Sequence, residues 1–364
     1  MASEAVEQQK KAEAPRMKVK KTDYPFTAIV GQPVLKRALI LNVVNPKVGG
    51  VLIRGEKGTG KSIAVRALSD ILPEIDIVQG CKYNCDPKKP DKYCNDCKRM
   101  QEKGEIKTIK APTKIVDLPL NITEDRLVGS IDIERILNEG VKAFEPGLLA
   151  EAHRGILYVD EINLLEDNVV DVLLDAAAMG MVTIEREGIS LNYPSEFIMV
   201  GSMNPEEGEL RPQLLDRLAL QAEVVGVKEV EQRVEIMQNS KEFALDPVTF
   251  RDQHREKLKE LKAEILKARE IMNKVMTPDS VLAIITKIGI DFNIDGHRGD
   301  IIIERTARTN AAFEGRTEST ADDVILAAEM ALPHRMRKQP FEEESFSAEM
   351  LRRLVRKYET EGIK

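Results

Sequence analysis

The sequence is poor in aromatic side chains: tryptophan is absent, and phenylalanine, tyrosine and tryptophan together make up 4% of its 364 residues. Few aromatic faces are therefore available for stacking nucleic-acid bases. The formal net charge of −7 also argues against nucleic-acid binding as the main activity. No apolar run reaches the length of about eighteen residues that predicts a membrane-spanning helix.

The N-terminus lacks the apolar core of a secretory signal, and residues 1–21 predict a polar, disordered tail. The four cysteines lie within seventeen residues, unlike the cysteines of a secreted disulfide framework. The cytoplasm is therefore the expected compartment. Apolar residues (42%) and charged residues (32%) occur in proportions typical of a globular protein with ample core.

The segment GEKGTGKS satisfies the pattern G-x-x-x-x-G-K-[ST]. Apolar residues 51–53 predict a buried strand before it, and a helical pattern begins after it at Ile63. In that context the backbone N–H groups of the loop bind phosphate oxygens, and the alternative is a simple glycine turn. Lys61 is expected to neutralise the outer phosphates, and the Ser62 hydroxyl to ligate Mg²⁺. The predicted ATP-binding residues of the loop are Gly55, Glu56, Lys57, Gly58, Thr59, Gly60, Lys61 and Ser62.

A second predicted strand, at residues 155–159, ends in the two acids Asp160 and Glu161. Asp160 is expected to hold Mg²⁺, directly or through water. Glu161 is expected to orient and polarise the attacking water. The alternative is a strand that ends in two solvated acids. A third buried strand ends at Asn204, which either lies at the γ-phosphate or forms local turn hydrogen bonds.

Two arginines are candidates for nucleotide contacts. Arg217 ends a short predicted helix and either reaches a neighbouring subunit's phosphate or forms a surface salt bridge. Arg298 begins a predicted helix, where the helix dipole disfavours a cation, so it is expected to bind an anion. From about residue 240 the spacing of apolar residues predicts a small domain of amphipathic helices.

The cysteines form two close pairs in a polar segment, as tetrahedral zinc requires. The alternatives are a redox-active or unmetallated loop and an iron–sulfur cluster. A closed site of four cysteines leaves no open coordination position, so a catalytic metal is not expected here. The candidate ligands are Cys81, Cys85, Cys94 and Cys97.

Longer stretches of the chain resemble the AAA+ ATPase subunit of magnesium chelatase, the I subunit. The resemblance runs from about Phe26 to Arg337, and the string from Asn204 to Arg217 is its most diagnostic part. It implies that Asn204 is sensor 1, Arg217 the arginine finger and Arg298 the sensor 2 arginine. The stretches that carry it are GEKGTGKS, DLPLNITEDRLVGSIDIE, KAFEPGLLAEAHRGILYVDEINLLEDNVVDVLLD and GSMNPEEGELRPQLLDR.

The resemblance also implies an α/β fold: a parallel P-loop AAA+ sheet sandwiched by helices, followed by a C-terminal helical bundle. The ATPase domain is predicted over residues 22–240, with the four-cysteine insertion at about 78–105, and the helical lid over 241–364. Residues 181–191 are expected to form the hairpin before sensor 1. The implied assembly is a hexameric ring that works with a D subunit and a large porphyrin-binding H subunit to insert Mg²⁺ into protoporphyrin IX.

The four-cysteine insertion departs from the best-known chlorophyll-pathway members and looks like the version in non-photosynthetic microbes. It leaves open a cobalt chelatase for corrinoids, which uses similar ATPase subunits. Residues 241–364 match more loosely than the ATPase core. Two alternatives belong to other classes: a chaperone-like AAA+ remodeller and a helicase-like DNA motor. The chain shows no tetrapyrrole pocket of its own, so a partner is expected to insert the metal.

Overall fold

The computed structural model describes residues 23–131, 144–186, 189–294, 296–336 and 347–361. The tail predicted at residues 1–21 lies outside these ranges. The strands are β1 (Val51–Gly55), β2 (Glu74–Val78), β3 (Thr108–Pro112), β4 (Ile115–Leu118), β5 (Gly129–Ile131), β6 (Phe144–Pro146), β7 (Ile156–Val159), β8 (Met181–Arg186), β9 (Ile189–Pro194), β10 (Ile198–Met203) and β11 (Leu220–Val224).

The α-helices follow the same numbering along the chain. In the first part of the chain they are α1 (Pro33–Val44), α2 (Lys61–Arg66), α3 (Asn95–Glu102), α4 (Glu124–Val128), α5 (Leu148–Glu151), α6 (Asp167–Met179) and α7 (Pro212–Arg217). After the last strand they are α8 (Val230–Leu245), α9 (Pro247–Gln253), α10 (Arg255–Ile271), α11 (Asp279–Asp291), α12 (Arg298–Phe313), α13 (Ala321–Ala331) and α14 (Ala348–Glu361). Across the described ranges, none of the helices combines the length and apolarity needed to cross a membrane.

Five parallel strands form the central sheet in the order β11-β1-β10-β7-β4. Val51 of β1 pairs with Val200 of β10 on one side and with Leu220 of β11 on the other. Strands β7 and β10 are buried along their whole length, as expected for a parallel sheet covered on both faces. The carboxyl ends of all five strands meet at one edge of the sheet. The loop after β1, the acids after β7 and Asn204 after β10 therefore lie along that edge.

Two hydrophobic clusters cover the two faces of the sheet. Because side chains alternate along a strand, Ile156 and Tyr158 join the cluster that contains α1, α2 and the C-terminal helices. Leu157 and Val159 join the other cluster, which contains α6 and the cysteine segment. The predicted parallel sheet between helices, followed by a helical bundle, is confirmed.

The helical region begins at α8, after the last strand ends at Val224. The boundary predicted at residues 240 and 241 falls inside α8, because the amphipathic spacing of the sequence becomes regular only beyond that point. The division into an ATPase domain and a lid remains a prediction.

Three two-stranded antiparallel ribbons accompany the central sheet, and one of them pairs β5 with β6. Strands β8 and β9 pair from Met181 with Pro194 to Arg186 with Ile189, where a hairpin was expected. Strands β2 and β3 also pair antiparallel, and the cysteine segment lies between them with α3. The predicted insertion at about 78–105 therefore corresponds to the connection between β2 and β3.

Candidate functional site

The glycine-rich loop joins β1 directly to α2. Gly58 (φ 79°) and Gly60 (φ 83°) adopt left-handed backbone conformations that favour glycine. A Cβ atom built on either glycine would meet no atom within 4 Å, so the space over the loop is open. An open glycine loop at the start of a helix fits a phosphate chain.

The Lys61 side chain folds back along this loop. Its Nζ donates to the carbonyl oxygens of Gly55 (2.5 Å) and Glu56 (2.7 Å). Burial lowers the pKa of Lys61, whereas the carboxylates of Asp160 and Glu161 act in the opposite direction. The ammonium group therefore lies between the loop and the acids that follow β7, where it can exchange carbonyl partners for phosphate oxygens.

Asp160 is surrounded by hydroxyl groups. Ser62 donates to its Oδ2 atom (3.2 Å), Tyr158 donates to its Oδ1 atom (2.9 Å), and Ser202 also donates to Oδ1. Burial by itself raises the pKa of Asp160, but hydrogen bonds from Ser202, Tyr158 and Ser62 outweigh it and hold the pKa below its usual value. An ionised carboxylate beside a serine hydroxyl supplies the hard oxygen ligands that Mg²⁺ prefers.

Glu161 occupies a strained position directly after Asp160. Its φ of 53° is left-handed, which costs about 1–3 kcal/mol for a residue with a side chain and is frequent at functional sites. Its backbone N–H donates to Ser202 Oγ (3.1 Å), and its carboxylate lies 3.8 Å from Lys57 Nζ of the loop. Lys57 also pairs with Glu207 at 2.5 Å. The structure thus places the Glu161 carboxylate beside the loop, and its role with the attacking water stays a prediction.

Asn204 is buried at the end of β10, with 4% of its surface exposed. Its Oδ1 accepts a hydrogen bond from the Glu206 backbone N–H (3.3 Å), which is the local turn contact considered as an alternative. Its amide nitrogen has no hydrogen-bond partner among the described residues. The side-chain oxygen therefore forms the hydrogen bond of the turn, and the side-chain nitrogen is free to donate to a ligand at the same edge of the sheet.

The two candidate arginines lie near each other, and among the described contacts neither forms a hydrogen bond or an ion pair with the loop. Arg298 forms an ion pair with Asp216 of the same chain at 2.5 Å, and its expected contact with the nucleotide stays a prediction. Arg217 follows Asp216 at the end of α7 and is half-buried. In the part of the chain that the structure describes, Arg217 has neither an ion pair nor a hydrogen bond from its side chain.

The four cysteine side chains converge, with all sulfur atoms within 4.8 Å of one another. Cys81 Sγ lies 3.8 Å from Cys94 Sγ, and tetrahedral zinc with bonds of about 2.3 Å has sulfur–sulfur edges of about 3.8 Å. Backbone N–H groups of Tyr83 and Cys94 donate to Cys81 and Cys85 sulfurs, each at 3.3 Å. The donor set fits a metal that binds thiolates.

This cysteine cluster contacts the opposite end of β7 from the acids. Arg154, just before β7, donates to the Asn84 carbonyl (3.3 Å) and pairs with Asp86 at 3.3 Å. Tyr83 stacks on Tyr193 at the end of β9, with ring centroids 5.0 Å apart. A metal held here would stabilise the insertion against the hairpin and would not touch the phosphate loop.

Sequence reasoning missed the hydroxyl groups of Tyr158 and Ser202, because each lies within an apolar run that predicts only a buried strand. One signal was available. Tyr158 precedes Asp160 by two positions, and Ser202 precedes Asn204 by two, so each shares a strand face with a predicted site residue.

Family comparisons agree with this geometry. A family model described as magnesium chelatase, subunit ChlI, matches residues 134–213, and one described as AAA lid domain matches residues 282–354. The ChlI homolog of Methanocaldococcus jannaschii is 53% identical over 341 residues, covering 94% of this chain and 93% of the relative. The ChlI subunit of Synechocystis sp. is 49% identical over 326 residues, covering 89% and 91%.

Two solved structures are also similar. One is a model, based on cryo-electron microscopy, of the complex between subunits BchI and BchD of magnesium chelatase. It has a TM-score of 0.51 and 46% identity, and the match covers 88% of this chain and 98% of that chain. The other is a Cytophaga hutchinsonii protein with a TM-score of 0.59 and 16% identity, covering 91% and 90%, which supports the fold alone.

Proposed function

Since the chain belongs to the family of magnesium chelatase subunit ChlI, an AAA+ ATPase family, we propose that it is the ATP-hydrolysing motor that drives insertion of Mg²⁺ into protoporphyrin IX. The observation that carries the proposal is the meeting of the phosphate loop, the Ser62–Asp160 pair, Glu161 and Asn204 at one edge of the sheet. The reaction forms metal–nitrogen bonds on a partner, and this chain supplies the energy.

ATP binding rests on the loop. The amides around Gly58 and Gly60 receive the phosphate oxygens, and Lys61 exchanges its carbonyl contacts for the outer phosphates. Ser62 and Asp160 would hold Mg²⁺, which would supply positive charge to the phosphate oxygens when bound. The pKa of Asp160 lies below its usual value, so this carboxylate is ionised at neutral pH.

Hydrolysis rests on the residues after β7 and β10. Glu161 orients the attacking water and accepts its proton. The free amide nitrogen of Asn204 donates to the γ-phosphate or to that water. The backbone bond from Glu161 to Ser202 fixes the base relative to β10, which carries Asn204. Base and amide therefore act from adjacent strands.

Completion of the site requires a second subunit. Arg217 is unpaired within the described part of its own chain, so its guanidinium is available to a phosphate bound by a neighbour. Arg298, which pairs with Asp216 beside Arg217, is proposed to couple the helical region to the nucleotide. Helix α8 exposes Val230 (69%), Val234 (40%) and Met237 (64%) at helical spacing, a face suited to self-association. We propose a hexameric ring.

The proposed partners are a D-type AAA+ subunit and a large H-type subunit that binds the tetrapyrrole. The proposed compartment is the cytoplasm, where clustered thiols serve metals more often than disulfides. The direct test is ATP-dependent insertion of Mg²⁺ into protoporphyrin IX by this chain with its co-purifying partners. Insertion of Co²⁺ into a corrinoid precursor instead would identify a cobalt chelatase. ATPase activity stimulated by DNA, without metal insertion, would contradict both.

We also propose that the four cysteines hold one structural zinc ion. The converging sulfurs and the two backbone N–H groups that donate to them support zinc. Metal analysis of the purified protein should give about one zinc per chain, and Cys97→Ser should lower that content. Iron with inorganic sulfide in the same site would favour a cluster, and no bound metal would contradict the proposal.

A further inference from the structure

We propose that Tyr158 and Ser202 are positioning residues that turn the Asp160 carboxylate toward Mg²⁺. The inference rests on the magnesium site proposed above and assigns a function to two hydroxyl groups buried at its base. Neither group contributes a predicted ligand, and neither was identified by the sequence motifs.

Tyr158 is almost completely buried, with 1% of its surface exposed, in a strand whose other side chains are apolar. A tyrosine hydroxyl in such a place needs polar partners. Its oxygen lies 2.9 Å from Asp160 Oδ1 and 3.1 Å from Ser62 Oγ. These partners are the two proposed magnesium ligands, so the buried hydroxyl touches both sides of the site.

Ser202 approaches the same carboxylate from the neighbouring strand β10. Its hydroxyl donates to Asp160 Oδ1 and accepts from the Glu161 backbone N–H (3.1 Å). It is fully buried, with 0% exposed, so water cannot replace these contacts. One serine thus fixes the carboxylate of the proposed metal ligand and the backbone of the proposed base.

The distribution of donors over the carboxylate gives the orientation. Tyr158 and Ser202 both donate to Oδ1, whereas Oδ2 faces Ser62 at 3.2 Å. Each hydroxyl has one proton to donate: the Ser202 proton goes to Oδ1, and the Tyr158 proton is shared between Oδ1 (2.9 Å) and Ser62 Oγ (3.1 Å), with the shorter contact to Oδ1. These hydrogen bonds hold Oδ1 against strands β7 and β10. Oδ2 faces Ser62, where Mg²⁺ is proposed to bind. Without these two donors, the carboxylate is free to rotate about its terminal torsion.

The expected consequence is a specific loss of magnesium affinity. Removing a hydrogen-bond partner of a metal ligand typically weakens metal binding by about 10-fold to 100-fold. Tyr158→Phe keeps the aromatic ring and removes only the hydroxyl. We expect the Mg²⁺ concentration that half-maximally promotes nucleotide binding to rise by about 10-fold or more. The nucleotide affinity of Tyr158→Phe in EDTA, where Mg²⁺ is absent, should stay unchanged, because the Tyr158 hydroxyl donates to neither Lys61 nor a loop carbonyl.

The experiment measures equilibrium binding of a fluorescent ATP analogue to the full-length protein, in EDTA and across a Mg²⁺ titration. Tyr193→Phe is the matched control, because Tyr193 is also fully buried and its hydroxyl donates to the Val128 carbonyl (2.6 Å) away from the site. Ser202→Ala is the second test variant. Thermal unfolding establishes that each variant is folded, and Ser202→Ala decides the matter if Tyr158→Phe does not fold.

The expected result is a raised Mg²⁺ midpoint for Tyr158→Phe and Ser202→Ala, with Tyr193→Phe unchanged. A midpoint equal to wild type in both test variants would overturn the inference, as would an equal shift in Tyr193→Phe. If nucleotide binding by the wild-type protein does not respond to Mg²⁺ at all, the proposed magnesium site itself fails, which is a distinguishable outcome.

Discussion

Replacing Arg217 by alanine should stop ATP hydrolysis without weakening ATP binding. Within the described part of its own chain the Arg217 side chain has no polar partner, so truncation removes no internal ion pair and should leave folding stability nearly unchanged. An arginine supplied from a neighbouring subunit contributes about 10³-fold or more to phosphoryl transfer. We therefore expect the hydrolysis rate of Arg217→Ala to fall by about 10³-fold, with nucleotide affinity close to wild type.

Mixing variants tests whether the arginine acts across the interface. An active interface needs Lys61 from one subunit and Arg217 from the next. In a random equal mixture of Lys61→Ala and Arg217→Ala subunits, roughly one quarter of interfaces in a closed ring combine both intact residues. The mixture should therefore recover up to about a quarter of wild-type activity, although each variant alone is inactive. Steady-state phosphate release measures this recovery.

Arg211→Ala is the control for the Arg217 substitution. Arg211 lies just before the same short helix but already pairs with Asp167 of its own chain, at an exposed position. Its removal should change hydrolysis little, because exposed ion pairs contribute about 0–1 kcal/mol. Two results would refute the reasoning: no recovery in a mixture shown to contain mixed rings, or full hydrolysis by Arg217→Ala alone.

Three further predictions follow from the same structure. Lys61→Ala should abolish ATP binding, because the loop loses its cation; equilibrium binding measures this. Glu161→Gln should bind ATP but stall turnover, and unchanged hydrolysis would remove its assigned role as base. Asp323→Asn should lower the free energy of unfolding, measured by urea titration, by about 2–3 kcal/mol, because the buried side chain loses its negative charge beside Arg316. The control is Asp322→Asn at an exposed position, which should lower the free energy of unfolding by about 0–1 kcal/mol.

The Asp323 prediction includes a pH dependence. Burial alone raises the pKa of this carboxyl, but hydrogen bonds from Arg316 and Asn310 outweigh burial and hold the pKa below its usual value. The stabilisation is therefore present above the unfolded pKa of about 3.9 and is lost as the pH falls through the folded value. The difference in the free energy of unfolding between wild type and Asp323→Asn should shrink in that acidic range. A difference that grows there would contradict the stabilising role of the ionised Asp323 carboxylate.

Several features of this protein were determined locally by sequence. The phosphate loop needs only eight consecutive residues between a strand and a helix, so its motif could be recognised from the sequence, and the structure gives Gly58 and Gly60 left-handed backbone conformations under open space. The family, the parallel sheet and the C-terminal helices were also predicted and are confirmed. The sequence placed the cysteines in two close pairs, but only the folded chain brings all four sulfur atoms within 4.8 Å of one another.

Tertiary structure decided the contacts between distant segments. The hydroxyl of Ser202 reaches Asp160 because β10 and β7 are neighbours in the sheet. The sequence of either strand alone does not predict that they are neighbours. The ion pair between Arg298 and Asp216 joins residues 82 positions apart, and no local pattern in the sequence indicates it. Hydrogen bonds and ion pairs depend on positions within a few ångströms, whereas periodicity and spacing determine only which face of an element a side chain occupies.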